Sequence, residues 1–208
     1  MKKTNVYIDG FNFYYGAVKG TPHKWLNFRT LLGLTFPSNQ IASIKYFTAR
    51  VNARQHDPDQ PVRQQTYLRA LATIPDLSII FGHFLVSYPT MLKAGCPPHA
   101  PQFVQVEKTE EKGSDVNLAT HFLSDGFKGL YDVAVLVTND SDLLEPLKIV
   151  RHELKKPVII LNPHRQQSVQ LARHATFIRQ LRRGVLAASQ FPSTMTDKDG
   201  TFHKPARW

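Results

Sequence analysis

The chain has 208 residues, 42% of them hydrophobic and 20% charged, which suits one soluble globular domain with a substantial core. Its formal net charge of +10 favours a polyanionic partner, nucleic acid before membrane surface. No apolar run reaches the length of a membrane span, the opening MKKTNVYIDGFNF lacks the apolar core of a signal peptide, and the single Cys96 excludes an internal disulfide or a cysteine-rich zinc site. A cytoplasmic protein without structural metal is the expectation.

The first strand is expected over Asn5–Ile8 and is broken by Asp9-Gly10, with an aromatic helical segment over 11–18 behind it. A short helix over 26–33, a strand over 41–51, a helix over 61–73 with Pro61 in its first turn, and a strand over 77–86 follow. The proline-rich stretch 88–102 (YPTMLKAGCPPHAPQ) reads as an irregular loop, and Phe103–Val106 as a short strand. An amphipathic helix over 114–128 comes next. Strand 132–138, helix 141–154, strand 157–161, helix 165–173, strand 175–178 and helix 179–189 complete the pattern. The last twenty residues show no core-forming pattern and read as a tail.

Strands alternating with helices imply a parallel sheet covered on both faces, whose ligands sit outside the carboxyl ends of the strands. Acids fall where that rule asks for them. Asp9 ends the first strand, Asp140 and Asp142 follow strand 132–138, and Asp115 stands in the first turn of the 114–128 helix. Brought together, these carboxylates would repel unless a cation neutralised them, and hard oxygen donors suit Mg²⁺ or Mn²⁺. Such an ion in an acidic pocket on a basic protein is the arrangement for phosphodiester cleavage. Taken singly, each acid also has an ordinary use as a helix cap, dipole partner or turn former. Asn12, one helical turn after Asp9, can orient a carboxylate or a phosphate.

Three stretches carry a resemblance: VYIDGFNFYYG at 6–16, EKGSDVNLATHFL at 111–123 and DVAVLVTNDSDLLEPLKIV at 132–150. Together and in this order they resemble the NYN domain family, PIN-like ribonucleases related to LabA/DUF88 proteins, over about residues 4–180. The resemblance implies a PIN-like three-layer α/β/α sandwich with a central, mostly parallel sheet, a nuclease domain over 1–188 and a C-terminal tail over 189–208. It implies Asp9, Asp115, Asp140 and Asp142 as the acids that hold Mg²⁺ or Mn²⁺, with Asn12 as a supporting amide. Asn139 and Ser141 then position phosphate or cap the third-motif helix. It also implies RNA hydrolysis leaving a 5′-phosphate and a 3′-hydroxyl. His121 stands where many members carry a further acid, which bears on a second metal site.

Lys112 is the candidate cation beside the site, and Arg50, with Arg54 and Arg63, marks a nucleic-acid track near the end of strand 41–51. Lys148, Arg151, Lys155 and Lys156, and then Arg179, Arg182 and Arg183, form further basic groups, equally readable as dipole partners or solvated faces. Phe11, Phe13, Tyr14 and Tyr15 offer stacking for a base, although at least two of them are expected to pack the first helix on the sheet. RNA is the expected partner, without a membrane; a homodimer and an antitoxin or regulatory protein stay open. An inactive RNA-binding or regulatory module is the alternative to the ribonuclease. A receiver-like or dehalogenase-type site is disfavoured, because the D-x-D pair lies late, at 140–142, and DGFN follows the first strand.

Overall fold

The computed structural model describes residues 1–97 and 99–208. Four stretches of the sequence rich in apolar or β-branched residues form the middle of one sheet. Strand β1 (Lys2–Asp9) is flanked by β8 (Val133–Val137) and β2 (Asn39–Thr48), with β9 (Val158–Asn162) beyond β8. Every residue of β8 and β9 is buried, as expected where helices cover both faces. Strands β3 (Leu77–Phe81) and β10 (Phe177–Gln180) close the edges, giving the order β10-β9-β8-β1-β2-β3, parallel throughout.

The pleat of β1 divides the core. Val6 and Ile8 face one layer with Phe13, Trp25, Leu31 and Leu71, while Tyr7 faces the other with Phe47, Phe122, Leu136 and Leu147. The first layer is built from α1 (Gly10–Phe13), which runs on as a wider turn to Val18, with α2 (Phe28–Thr35) and α3 (Gln60–Ala72). The second holds α4 (Ser114–Phe127), α5 (Leu144–Lys148) and α6 (Val169–His174). The molecule is therefore the expected α/β/α sandwich. From β1 the chain winds outward to β2 and β3, whereas β8, β9 and β10 wind the other way. The carboxyl ends of β1 and β8 thus flank the point where the winding reverses, the place such sheets reserve for ligands.

Several local expectations need correction. The single strand expected over 77–86 breaks at Gly82, whose N–H is taken by the Thr48 carbonyl. A Cβ there would lie 2.5 Å from the Lys112 carbonyl oxygen, so a side chain would prise the neighbouring strand away. Beyond the break, β4 (His83–Ser87) leaves the sheet and pairs with β7 (Lys108–Lys112); β5 (Thr90–Leu92) pairs with β6 (Phe103–Gln105). The stretch expected to be an irregular loop is thus partly an antiparallel ribbon. Strand β7, KTEEK, carries no apolar signal because both its faces meet water.

The last twenty residues are not a free tail. After α7 (Arg183–Ala188), Phe191 packs on Trp25, and β11 (Thr194–Asp197) pairs with β12 (Gly200–His203). Phe202 is buried against Trp25, Arg69 grips Asp197 through two nitrogens, and Trp208 packs on Tyr67. Spaced aromatics rather than a periodic apolar face do this, which is why the segment shows no core pattern. Among the described residues, no helix is long and apolar enough to cross a membrane.

Candidate active site

Three separate segments deliver acids to the sheet's reversal point. Asp9 is the last residue of β1 and is buried among core residues. Its Oδ1 accepts the Asn12 N–H at 2.9 Å, capping α1, and its Oδ2 accepts the Thr138 hydroxyl at 3.2 Å. Thr138 in turn accepts the Asp140 N–H at 3.1 Å, which ties the turn after β8 to the end of β1. Asp140 then caps the single 3₁₀ turn Ser141–Leu143 through Asp142 N–H at 3.0 Å. Asp115 reaches in from the first turn of α4, whose start is held by Glu111: its two carboxylate oxygens accept the Ser114 N–H and hydroxyl, at 3.1 and 2.7 Å.

One carboxylate oxygen from each of Asp9, Asp115 and Asp140 lies within 4.8 Å of the others. This crowding is costly. Burial, opposed by the Asn12 N–H and reinforced by Asp115, pushes the Asp9 carboxyl up to about 7. Asp115 is raised too, by burial and then by Asp140, Glu111 and Asp142. The cavity around them, about 240 Å³, is walled by Phe11, Asn12, Tyr15, Glu111, Ser114 and His164 and has no lysine or arginine in its lining. Three hard oxygen donors, converging without a side-chain counter-charge, fit a divalent cation of the Mg²⁺ or Mn²⁺ type.

The remaining candidates divide. Asn12 sits at the centre: its Oδ1 accepts the Asn139 N–H at 2.9 Å and faces His164 Nε2 at 3.1 Å. Asp142 stands outside the group of three; it is exposed and acts on it as a nearby charge. Its N–H caps on Asp140, and Asp142 is not among the residues that line the pocket. Ser141 is exposed at the first position of that turn. Asn139 is committed to structure, donating to the Gln166 carbonyl and accepting the Ser168 N–H.

Lys112 does not line the pocket. Its ammonium lies 3.6 Å from Glu110 on the ribbon, because alternation along β7 turns Glu111, not Lys112, toward α4. Arg50 lies over the Phe81 ring at the sheet edge, outside the pocket. His121 packs on Phe47, with Lys45 Nζ 3.4 Å away, and burial lowers its basicity. Among the four aromatics, Phe13 is buried and Tyr14 packs on the core, while Phe11 and the exposed Tyr15 wall the pocket. Two of the surrounding residues were not anticipated, Glu111 and His164. His164 stands two residues beyond the end of β9, so the carboxyl-edge rule applied to that strand as well would have found it. Glu111 opens the second of the resembling stretches, but its hold on the start of α4 is legible only in three dimensions.

A family model described as NYN domain matches residues 3–181. The chain belongs to the NYN domain family. Across 99% of its length this NYN chain is 33% identical, over 235 aligned positions, to a Pseudomonas putida protein named 6-hydroxy-3-succinoylpyridine 3-monooxygenase, of which it covers 75%. Its fold is that of a Vibrio parahaemolyticus protein of unknown function, with a TM-score of 0.55 at 15% identity over 88% of this chain and 94% of that one. The NYN match and the acidic cluster agree on a nuclease-like fold with a site suited to a divalent cation.

Proposed function

We propose that this NYN protein is a divalent-metal-dependent ribonuclease. The observation that carries the reading is the convergence of Asp9, Asp115 and Asp140 at the reversal point of the sheet, on a chain of net charge +10. These three residues would hold Mg²⁺ or Mn²⁺, which when bound supplies Lewis acidity toward a phosphoryl oxygen and an ionised water at neutral pH.

The chain's own groups supply the rest. Asp9 is fixed by the Asn12 N–H and the Thr138 hydroxyl, so its carboxylate cannot swing away as charge develops. The Asn12 amide is locked in turn by the Asn139 N–H. Because that N–H makes Asn12 Oδ1 an acceptor, the His164 nitrogen facing it at 3.1 Å must be a donor. Phe11 and Tyr15 offer aromatic faces for a base beside the acids. No side-chain nucleophile is needed for water to attack phosphorus in line.

The identity to the named monooxygenase supports a second reading, oxygenation of a small pyridine. The residues weigh against it. The trio holds no imidazole, unlike the two-histidine, one-carboxylate site of non-haem iron oxygenases, and DGFN stands after β1 where a dinucleotide fold would carry G-x-G-x-x-G. Two assays separate the readings: release of new 5′-phosphate ends from RNA with Mn²⁺, and loss of 6-hydroxy-3-succinoylpyridine with matching oxygen uptake. Pyridine consumption without any RNA cleavage would sink the ribonuclease. An inactive RNA-binding module would instead bind RNA, cleave none and consume no pyridine.

A further inference from the structure

The loop between β9 and α6, PHRQQS at 163–168, leaves the sheet on the same edge as the acids, and three amide side chains hold it. Asn162, fully buried, accepts the His164 N–H at 2.9 Å and donates to the Gln166 carbonyl at 3.3 Å. Asn139 donates to that same carbonyl at 3.1 Å and accepts the Ser168 N–H at 2.7 Å. Gln180 donates to the His164 carbonyl at 2.6 Å and accepts from Asn162 at 3.0 Å. The amides come from the ends of three adjacent strands, and they bind the loop's carbonyls at 164 and 166. Between those anchors its donors are left over. Among the described residues, nothing accepts from the backbone N–H groups of Arg165, Gln166 and Gln167 or from the Arg165 guanidinium.

Arg165 and Gln166, with Asn139 and His164, line an open cavity of about 610 Å³, and His164 also walls the acidic pocket. The imidazole can stand there because residue 16 is glycine: a Cβ at that position would lie 2.5 Å from His164 Cδ2. A rigid loop with a free guanidinium and free amide hydrogens, set beside a site for a metal ion, has the chemistry of phosphate recognition.

We propose that residues 164–167 form a phosphate subsite contiguous with the acidic pocket, which takes, on a single-stranded RNA, the phosphate next to the one held at the acids. The RNA part rests on the ribonuclease reading; the anion part rests on the loop alone.

The test is a ¹⁵N amide-shift titration of the full chain in EDTA, first with inorganic phosphate and then with a short single-stranded RNA. The amides of 165–167 are expected to move with both. Arg165→Ala should abolish the phosphate-induced shifts, weaken RNA binding about tenfold and lower the salt slope of binding by about one. Arg165→Lys should fall between, because it keeps the charge and loses the fork. Lys128→Ala, at the end of α4 remote from Asp115, should leave all of these readouts unchanged. Amides at 165–167 that move with neither ligand, or an Arg165→Ala protein that binds both as wild type does, would overturn the subsite. Shifts with phosphate but no RNA binding overturn the polynucleotide assignment and the ribonuclease with it. RNA bound at these amides yet left intact when Mn²⁺ is supplied supports the subsite while sinking the ribonuclease.

Discussion

Asp9 carries an electrostatic penalty that a bound cation would relieve, and this makes its behaviour measurable without any substrate. In the unfolded chain its carboxyl ionises near the ordinary value of 3.8, whereas in the fold burial holds the proton up to about 7. The unfolded state therefore binds fewer protons between these limits, and stability falls as pH rises through them. The contribution is fully present below about pH 4 and is lost by the time pH has passed 7, a span worth roughly 4 kcal/mol. Metal-free Asp9→Asn protein should lack this dependence and melt above wild type at pH 7.5, while losing activity; a thermal melt in EDTA at several pH values checks it. Mn²⁺ should raise the wild-type melting temperature more at pH 7.5 than at pH 5, since the ion must displace the Asp9 proton. Gly16→Ala should swing His164 off Asn12 and slow turnover at least tenfold, with the melting temperature little changed.

At the scale of elements, α4 matters most, because it carries Asp115. Its far end is tied to the sheet by Asp125, which accepts the buried Tyr7 hydroxyl at 2.7 Å and the half-buried Lys45 ammonium at 2.6 Å. Asp125→Ala would leave the buried Tyr7 hydroxyl and the half-buried Lys45 ammonium without their shared acceptor, and should cost roughly 2–3 kcal/mol in urea unfolding. The elements legible in the sequence are those whose burial imposes a period. The uniform apolar runs of β8 and β9 name themselves as covered parallel strands, and Asp9 and Asp140 stand at and just past the ends of their strands, where the rule for such sheets looks. What could not be read shares one physical cause, that the deciding partner is distant in sequence. Gly82 breaks a continuous β pattern because the Lys112 carbonyl comes close, and β7 exists because β4 pairs with it. Asp142 matches its motif as well as Asp140 does, and only the fold shows that Asp140 joins the cluster while Asp142 stays exposed beside it.

The whole molecule is closed by its C-terminal hairpin, which seals the layer that supports α1 and so the Asn12 turn. Trp25, fully buried, donates through its indole N–H to the Pro192 carbonyl at 2.8 Å. Phe202→Ala should cost about 3–5 kcal/mol, and removing residues 190–208 should leave Trp25 wet, with red-shifted fluorescence and a lower unfolding midpoint. What the assembled edge of the sheet does is read most directly on RNA itself. Pure wild-type and Asp140→Asn proteins should be incubated with mixed cellular RNA, in Mn²⁺ or EDTA, and the new RNA ends sequenced. Wild type is expected to leave 5′-phosphate ends in Mn²⁺ alone, falling at least a hundredfold in Asp140→Asn protein that still binds RNA. Cleavage that persists in EDTA or in Asp140→Asn, or no cleavage by wild type under any metal, would contradict that expectation.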